Sequence, residues 1–454
     1  MNQTTPSPLN TRDANRVLWL STSAFTLMFN VWLMLGVLGI SVRRELGLSD
    51  AQLEWLIATA ILSGALFRLN FGIWADAYGG RKMTGLLLLA VSVPTYLFSH
   101  ATTFPQMLVC AALFGLAGNS FSAGIAWNSA WFPQQSKGRA LGIFGAGNVG
   151  AAGTKMLVAF VPSVLTIVPA AGYLGGWIPG GWRFVPALYA ALLVLMALAV
   201  FFLSPATDFA PGRGRKFLAA LRPLHHTRVW RFGLYYVVVF GAYVALSGWL
   251  PKYYIDTYNV PLSTAALLTA SFIFPASLLR PLGGYFADRW GPRVVTYSVF
   301  VAMTIILIVL SVPSGQFIME THGTQGTPLT LTYRLGLVPF TALMFALGCA
   351  MGIGKASVFK YIPDYFPNDV GAAGGVVGAL GALGGFILPP AFGWLGRTAG
   401  VPQLAFVALL ALTVWSLAWL HVTVLRSRAT ARAHFPGLPK IENAAEYGVS
   451  IGER

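Results

Sequence analysis

Apolar residues in this chain come in long runs separated by short polar connections. A helix that crosses a bilayer needs about twenty mainly apolar residues. Runs of that kind fall at 17–40, 54–75, 83–103, 106–131, 138–162, 182–204, 231–254, 262–287, 293–313, 335–361, 371–395 and 402–425. The pattern predicts twelve spanning helices. The first run, from Val17, is too long for a signal-peptide core and has no evident cleavage site, so it reads as a retained span behind a polar tail. Composition points the same way. With 56% hydrophobic and 10% charged residues, the chain carries more apolar side chain than one soluble core covers, so lipid is the solvent for much of it.

A net charge of +16 would suggest a nucleic-acid partner in a soluble protein. Here the basic residues sit in alternate connections: Arg81 and Lys82, Lys137 and Arg139, then Arg213, Arg215, Lys216, Arg222 and Arg228, then Arg289 and Arg293. By the positive-inside rule these mark the cytoplasmic side, which excludes the nucleic-acid reading and puts both termini in the cytoplasm of a bacterial inner-membrane protein. The expected division is a tail at 1–16, a six-helix half at 17–204, a basic linker at 205–230, a second half at 231–426 and a tail at 427–454. Cys110 and Cys349 both lie in apolar runs, as packing residues, so neither a disulfide nor a metal site is expected.

The two halves repeat each other. Arg68-Leu-Asn-Phe-Gly72-Ile-Trp-Ala75-Asp76-Ala-Tyr-Gly79-Gly-Arg81 has its counterpart in Arg280-Pro-Leu-Gly-Gly284-Tyr-Phe-Ala287-Asp288-Arg-Trp-Gly291-Pro-Arg293, with every shared residue at the same spacing. Such a repeat implies two pseudo-symmetric six-helix bundles, with a substrate site between them near the midplane. Asp76, Arg81, Asp288 and Arg293 read as parts of a tight cytoplasmic turn rather than as substrate contacts.

Ionisable side chains inside spans are costly and mark pathways or paired interior sites. Arg68 and Arg280 each precede their turn Asp by eight residues, which at the helical rise puts them roughly 12 Å into the membrane. Lys355 lies near the centre of its span, Lys360 nearer the cytoplasm and Lys155 nearer the outer face. All fourteen acidic residues map to loops, tails or span ends, so these cations are expected to lack protein partners. Two buried guanidiniums without carboxylates leave a negative charge for the substrate to supply. The substrate is therefore a small anion, and charge alone fits phosphate, sulfate, carboxylates or nitrate equally.

Two spans are rich in glycine, the fifth at Gly142, Gly145, Gly147, Gly150 and Gly153 and the eleventh at Gly371, Gly374, Gly375, Gly378, Gly381, Gly384 and Gly385. Most of these glycines read as close helix packing. Asn148 interrupts the first smooth face with an amide that both donates and accepts. The Gly145-Ala-Gly147-Asn148-Val-Gly150 segment, the Ser63-Gly-Ala-Leu-Phe-Arg68 segment and Leu278-Leu-Arg280 together resemble the nitrate/nitrite porters of the major facilitator superfamily, over essentially all twelve spans. That resemblance implies the major facilitator fold, nitrate held between Arg68 and Arg280, and aromatic walls at Phe121, Tyr236 and Phe240, with Asn148 completing the polar contacts.

Members of that family that exchange nitrate for nitrite typically carry neutral residues where this chain has Lys155, Lys355 and Lys360. An amine in a dry, cation-rich cavity sheds its proton more readily, and an arriving anion draws the proton back. The expected function is nitrate/proton symport by alternating access, with Lys355 as leading proton carrier and Lys155 or Lys360 assisting. A nitrate/nitrite antiporter is the alternative, followed by another small-anion carrier or a non-transporting sensor. The expected partners are nitrate, with nitrite as a second cargo, protons and lipid, with no cofactor, and the expected state is a monomer. An enzyme is excluded because the spans hold no catalytic His pair, interior carboxylate pair or Ser/His arrangement.

Overall fold

The structure is a computed structural model that describes residues 11–160, 164, 166–213, 224–319, 329–366 and 370–434. Residues 1–10 and 435–454 of the two tails, and Arg215, Lys216 and Arg222 of the linker, lie outside the described residues. Twelve helices among those described are long and apolar enough to cross a membrane. They are α1 (Thr11–Leu46), α2 (Asp50–Tyr78), α3 (Gly80–His100), α4 (Phe104–Trp131), α5 (Ala140–Phe160), α6 (Gly181–Leu203), α7 (Thr227–Tyr258), α8 (Leu262–Trp290), α9 (Pro292–Ser311), α10 (Leu337–Ile362), α11 (Ala373–Ala399) and α12 (Leu404–Arg426). Each coincides with one predicted span. Between α9 and α10 the chain forms a two-stranded antiparallel hairpin, β1 (Gly315–Met319) with β2 (Leu329–Tyr333), in the register Gly315 opposite Tyr333.

The apolar runs divide by what they face. Helices α6, α9 and α12 carry bare apolar side chains such as Leu195, Ile305 and Trp415, each more than half exposed. Such surfaces suit lipid rather than water. By contrast, 83% of the most apolar stretch of α7 is buried inside the protein. The halves meet along α1, α2 and α5 on one side and α7, α8 and α11 on the other, with α2 along α11, α5 along α8 and α1 along α7.

These interface helices are interrupted, and the interruptions aim the site. Helix α2 breaks at Phe67 (φ −91°, ψ 5°) and α8 at Leu279 (φ −81°, ψ 2°), so Arg68 and Arg280 are each the first residue after a break. In α8 the cause is Pro281, which has no N–H to continue the ladder and tolerates only a helix's first turn. Glycine loosens α4 into a 3₁₀ turn at Gly115–Asn119 and α5 at Gly147–Ala152, while α7 carries a π-turn at Val237–Gly241. Both repeats end their turn on a glycine with positive φ, Gly79 at 98° and Gly291 at 83°, which a side chain would strain.

The two ends of the molecule are closed differently. At the end opposite these turns, α1 meets α7 so tightly that a methyl group on Gly36 would sit 2.8 Å from the Gly248 Cα. Beside that contact Arg397 of α11 donates to both carboxylate oxygens of Glu54 in α2 at 2.7 Å, and Lys252 of α7 reaches Asp50 at 3.6 Å. At the turn end, the linker straps the first half. Asp208 accepts from the backbone amides of Arg81 (3.2 Å) and Lys82 (3.1 Å), while the Arg81 guanidinium donates to the carbonyls of Phe201, Pro205 and Ala206.

Candidate functional site

Arg68 is wholly buried and spends its donors on backbone carbonyls. Its Nε points to Gly64 of its own helix (3.4 Å), its Nη2 donates to Gly118 in the α4 3₁₀ turn (3.1 Å), and its Nη1 crosses to Gly378 of α11 in the other half (3.2 Å). The rings of Trp32, Phe121 and Phe240 stand 5.6, 5.6 and 5.3 Å from the guanidinium carbon, within cation–π range. Gly378 faces this side chain, and a Cβ there would lie 3.4 Å from the Arg68 Cδ, in ordinary van der Waals contact.

Arg280 is nearly as buried but less occupied. Its guanidinium lies 5.1 Å from the same Phe121 ring and 5.6 Å from Phe359, and Gly145 leaves it room, since a Cβ there would sit 3.1 Å from its Nε. Its Nη1 has no hydrogen-bond partner. Asn148, one helical turn beyond Gly145 on the same face, is fully buried with both amide atoms unpartnered, and the buried hydroxyl of Tyr236 is unpartnered too. Each arginine acts electrostatically on Tyr236, and the two act on each other. A buried polar group left without a partner costs about 1–3 kcal/mol. Arg280 Nη1, the Asn148 amide and the Tyr236 hydroxyl are three such groups among the described residues.

The aromatic walls expected at Phe121, Tyr236 and Phe240 are where the arginines meet. Phe121 is shared by both guanidiniums, and Tyr236 stacks on Phe240 with centroids 4.9 Å apart and planes 9° apart. The glycines split between two uses. Gly147 and Gly150 let α5 close on Phe25 and Thr26 of α1, and Gly381 lets α11 close on the Tyr236 ring, as packing predicts. Gly145 instead makes room for Arg280 of the opposite half, and Gly378 faces Arg68 across the interface, placements that the sequence pattern alone does not reveal.

The three lysines part company. Lys355 is wholly buried, its Nζ 3.0 Å from the Ala276 carbonyl of α8 and 3.1 Å from the centroid of the Tyr243 ring, and it feels the charge of Arg280. Lys155 is also wholly buried but faces α1, donating to the Leu33 carbonyl at 3.0 Å, in the break between the two segments of that helix. Lys360 corrects the expectation that every cation in a span lacks a partner. It pairs with Asp288 at 2.7 Å, with the two side chains 37% and 64% exposed, at the rim beside the second turn. Among the described residues no carboxylate pairs with Arg68, Arg280, Lys155 or Lys355, and no group of His, Cys, Asp and Glu is arranged to hold a metal.

Three contributors were not singled out from sequence: Trp32, Phe359 and Tyr243. Tyr243 was within reach, because positions 236, 240 and 243 follow the spacing of one helical face.

The sequence pattern of the Major Facilitator Superfamily matches residues 20–330. A protein of Thermus thermophilus, named "Probable nitrate/nitrite antiporter NarK1", is 56% identical over 414 residues, covering 91% of this chain and 92% of that relative. The chain belongs to the nitrate/nitrite porter family of the major facilitator superfamily. A more distant relative, the nitrite extrusion protein of Bacillus subtilis (strain 168), is 27% identical across 84% of this porter and 87% of its own length. Among solved structures, a bacterial homolog to the human lysosomal transporter Spinster, inward-facing and unoccupied, superposes with a TM-score of 0.66 over 91% of the porter and 97% of that chain. At 16% identity that likeness concerns the fold alone. The porter is thus a multi-pass membrane transport protein and not an enzyme.

Proposed function

We propose that this porter carries nitrate with protons, binding the anion between Arg68 and Arg280. The observation that carries the reading is the cluster of unspent groups, Arg280 Nη1, the Asn148 amide and the Tyr236 hydroxyl, around two guanidiniums with no carboxylate partner. A flat oxyanion satisfies that set, accepting from the guanidinium, the amide and the phenol while its faces lie against Phe121, Tyr236 and Phe240. The name of the Thermus relative supports nitrate over the other small anions.

Proton coupling rests on Lys355, wholly buried and within the field of Arg280. An anion arriving beside it favours the ammonium, so anion and proton bind together and each raises the affinity for the other. Affinity for nitrate therefore falls as pH rises. Lys155 takes the assisting role, and Lys360, already paired at the rim, takes none. An anion moving into a cell against an inside-negative potential needs accompanying positive charge, which protons supply. The turn end with its basic connections faces the cytoplasm, and the end sealed at Gly36 and Gly248 faces outward. Opening that seal breaks the Glu54–Arg397 and Asp50–Lys252 contacts as one half rocks over the other.

Nitrate/nitrite exchange is the second reading, favoured by the name of the Thermus relative. Proteoliposomes with an imposed pH gradient and no internal anion separate the two. Symport gives nitrate accumulation, abolished in Lys355→Gln; strict exchange gives none until nitrite is loaded inside.

A further inference from the structure

Tyr243 joins the Asn148 backbone, Ser277 and Lys355 without lining the anion site. It stands two turns beyond Tyr236 on α7 and is wholly buried. Its hydroxyl donates to the backbone carbonyl of Asn148, at 3.1 Å, in the 3₁₀ turn that presents the Asn148 amide. The same oxygen lies 3.0 Å from Ser277 Oγ, and with the phenol proton committed to Asn148, the serine hydroxyl is the donor there. The ring face lies 3.1 Å, at its centroid, from Lys355 Nζ. Lys355 in turn donates to Ala276, the residue before Ser277, three positions ahead of the Leu279 break and four ahead of Arg280.

A cation over an aromatic face draws electron density toward itself, and a neutral amine does so far less. An ammonium on the Tyr243 ring therefore makes its O–H a stronger donor, and hydrogen bonds in a chain polarise one another in a medium without water. Gaining a proton at Lys355 tightens the bond from Tyr243 to the Asn148 carbonyl, and losing it slackens that bond. The backbone that aims the Asn148 amide then reports the state of an amine that does not itself reach it.

We propose that Tyr243 is the positioning residue through which protonation of Lys355 reaches the anion site. This rests on the nitrate/proton reading above. Among the described residues the charged group acting on Lys355 from a neighbouring helix is Arg280 of α8, and the next charge on α10, Lys360, is held by Asp288. Tyr243 is faced by Arg280, Ser277, Ser247 and Tyr236, and no carboxylate faces either member of the pair among the described residues.

The test is nitrate binding to the purified full-length porter by calorimetry, at mildly acidic and mildly alkaline pH, read as the ratio of the two affinities. The native protein is expected to bind more tightly in acid, and Lys355→Gln to lose that preference. Tyr243→Phe keeps the ring and its volume but removes the hydroxyl; its ratio is expected to fall to about a third of native or less, with nitrate still bound. Ser277→Ala removes a contact to the same oxygen and leaves the link to Asn148, and its ratio is expected to stay native. A Tyr243→Phe protein with the native ratio overturns the proposal, as does a Ser277→Ala protein that flattens equally, since loosened packing would then explain both. A native protein that binds nitrate with no pH preference overturns the proton-coupled reading itself, and a native protein that binds no nitrate overturns the substrate.

Discussion

Arg68 and Arg280 are each the first residue after a helix break, at the same place in two repeats, and both rest against the ring of Phe121. Arg68 is tied to three carbonyls, one of them across the interface at Gly378, whereas Arg280 keeps a buried Nη1 unspent. The repeat supplies the same backbone twice; the neighbours supplied by the opposite half decide what each guanidinium does. One is spent as a tie between halves, and the other is the receiver of the proposed anion.

The sharpest way to break this contrast is to neutralise each in turn. Arg280→Gln is expected to weaken nitrate binding at least about 100-fold, the worth of two charge-assisted hydrogen bonds, with thermal stability close to native. Arg68→Gln is expected to lose binding too, but also to lower unfolding stability by about 2 kcal/mol or more, because it strands carbonyls in three helical segments. Thermal unfolding of the two variants side by side reads this directly, and equal losses of stability would erase the distinction.

A smaller effect separates the glycines that accommodate them. Gly145→Ala puts a methyl 3.1 Å from Arg280 Nε and should displace the receiver, costing about tenfold in nitrate affinity. Gly378→Ala meets Arg68 at an ordinary 3.4 Å and should cost no more than about threefold. The reverse order would mean that Arg68 is the more sensitive partner. The smallest effect belongs to the rim. Lys360→Ala removes an exposed ion pair worth about 1 kcal/mol or less and should leave the pH dependence of transport unchanged, as measured by initial uptake rates.

Much of this arrangement is written locally. Bilayer thickness forces runs of a fixed length, so the spans are legible, and the equivalent places of Arg68 and Arg280 along their helices follow from counting back from Asp76 and Asp288. What pairs with what is not local. Lys360 and Asp288 lie on different helices, so nothing in the spacing around either residue announces their contact. Helix breaks are equally hidden where no proline marks them. Pro281 foreshadows the break in α8, but α2 breaks at Phe67 without one, because neighbouring helices and the arginine itself re-satisfy the freed backbone groups. The π-turn at Val237–Gly241 and the hairpin after α9 are settled by tertiary surroundings in the same way.

The two inter-half contacts beside Gly36 and Gly248 join charges that are partly open to water, with side-chain exposures from 11% to 44%. The screening length of dissolved ions is about 8 Å at physiological strength, longer than these contacts, and shrinks to about 3 Å in molar salt, the length of the contacts themselves. The closure at this end is therefore one whose tightness the surrounding medium sets. Rising salinity should speed the opening of this end while leaving the buried interior untouched.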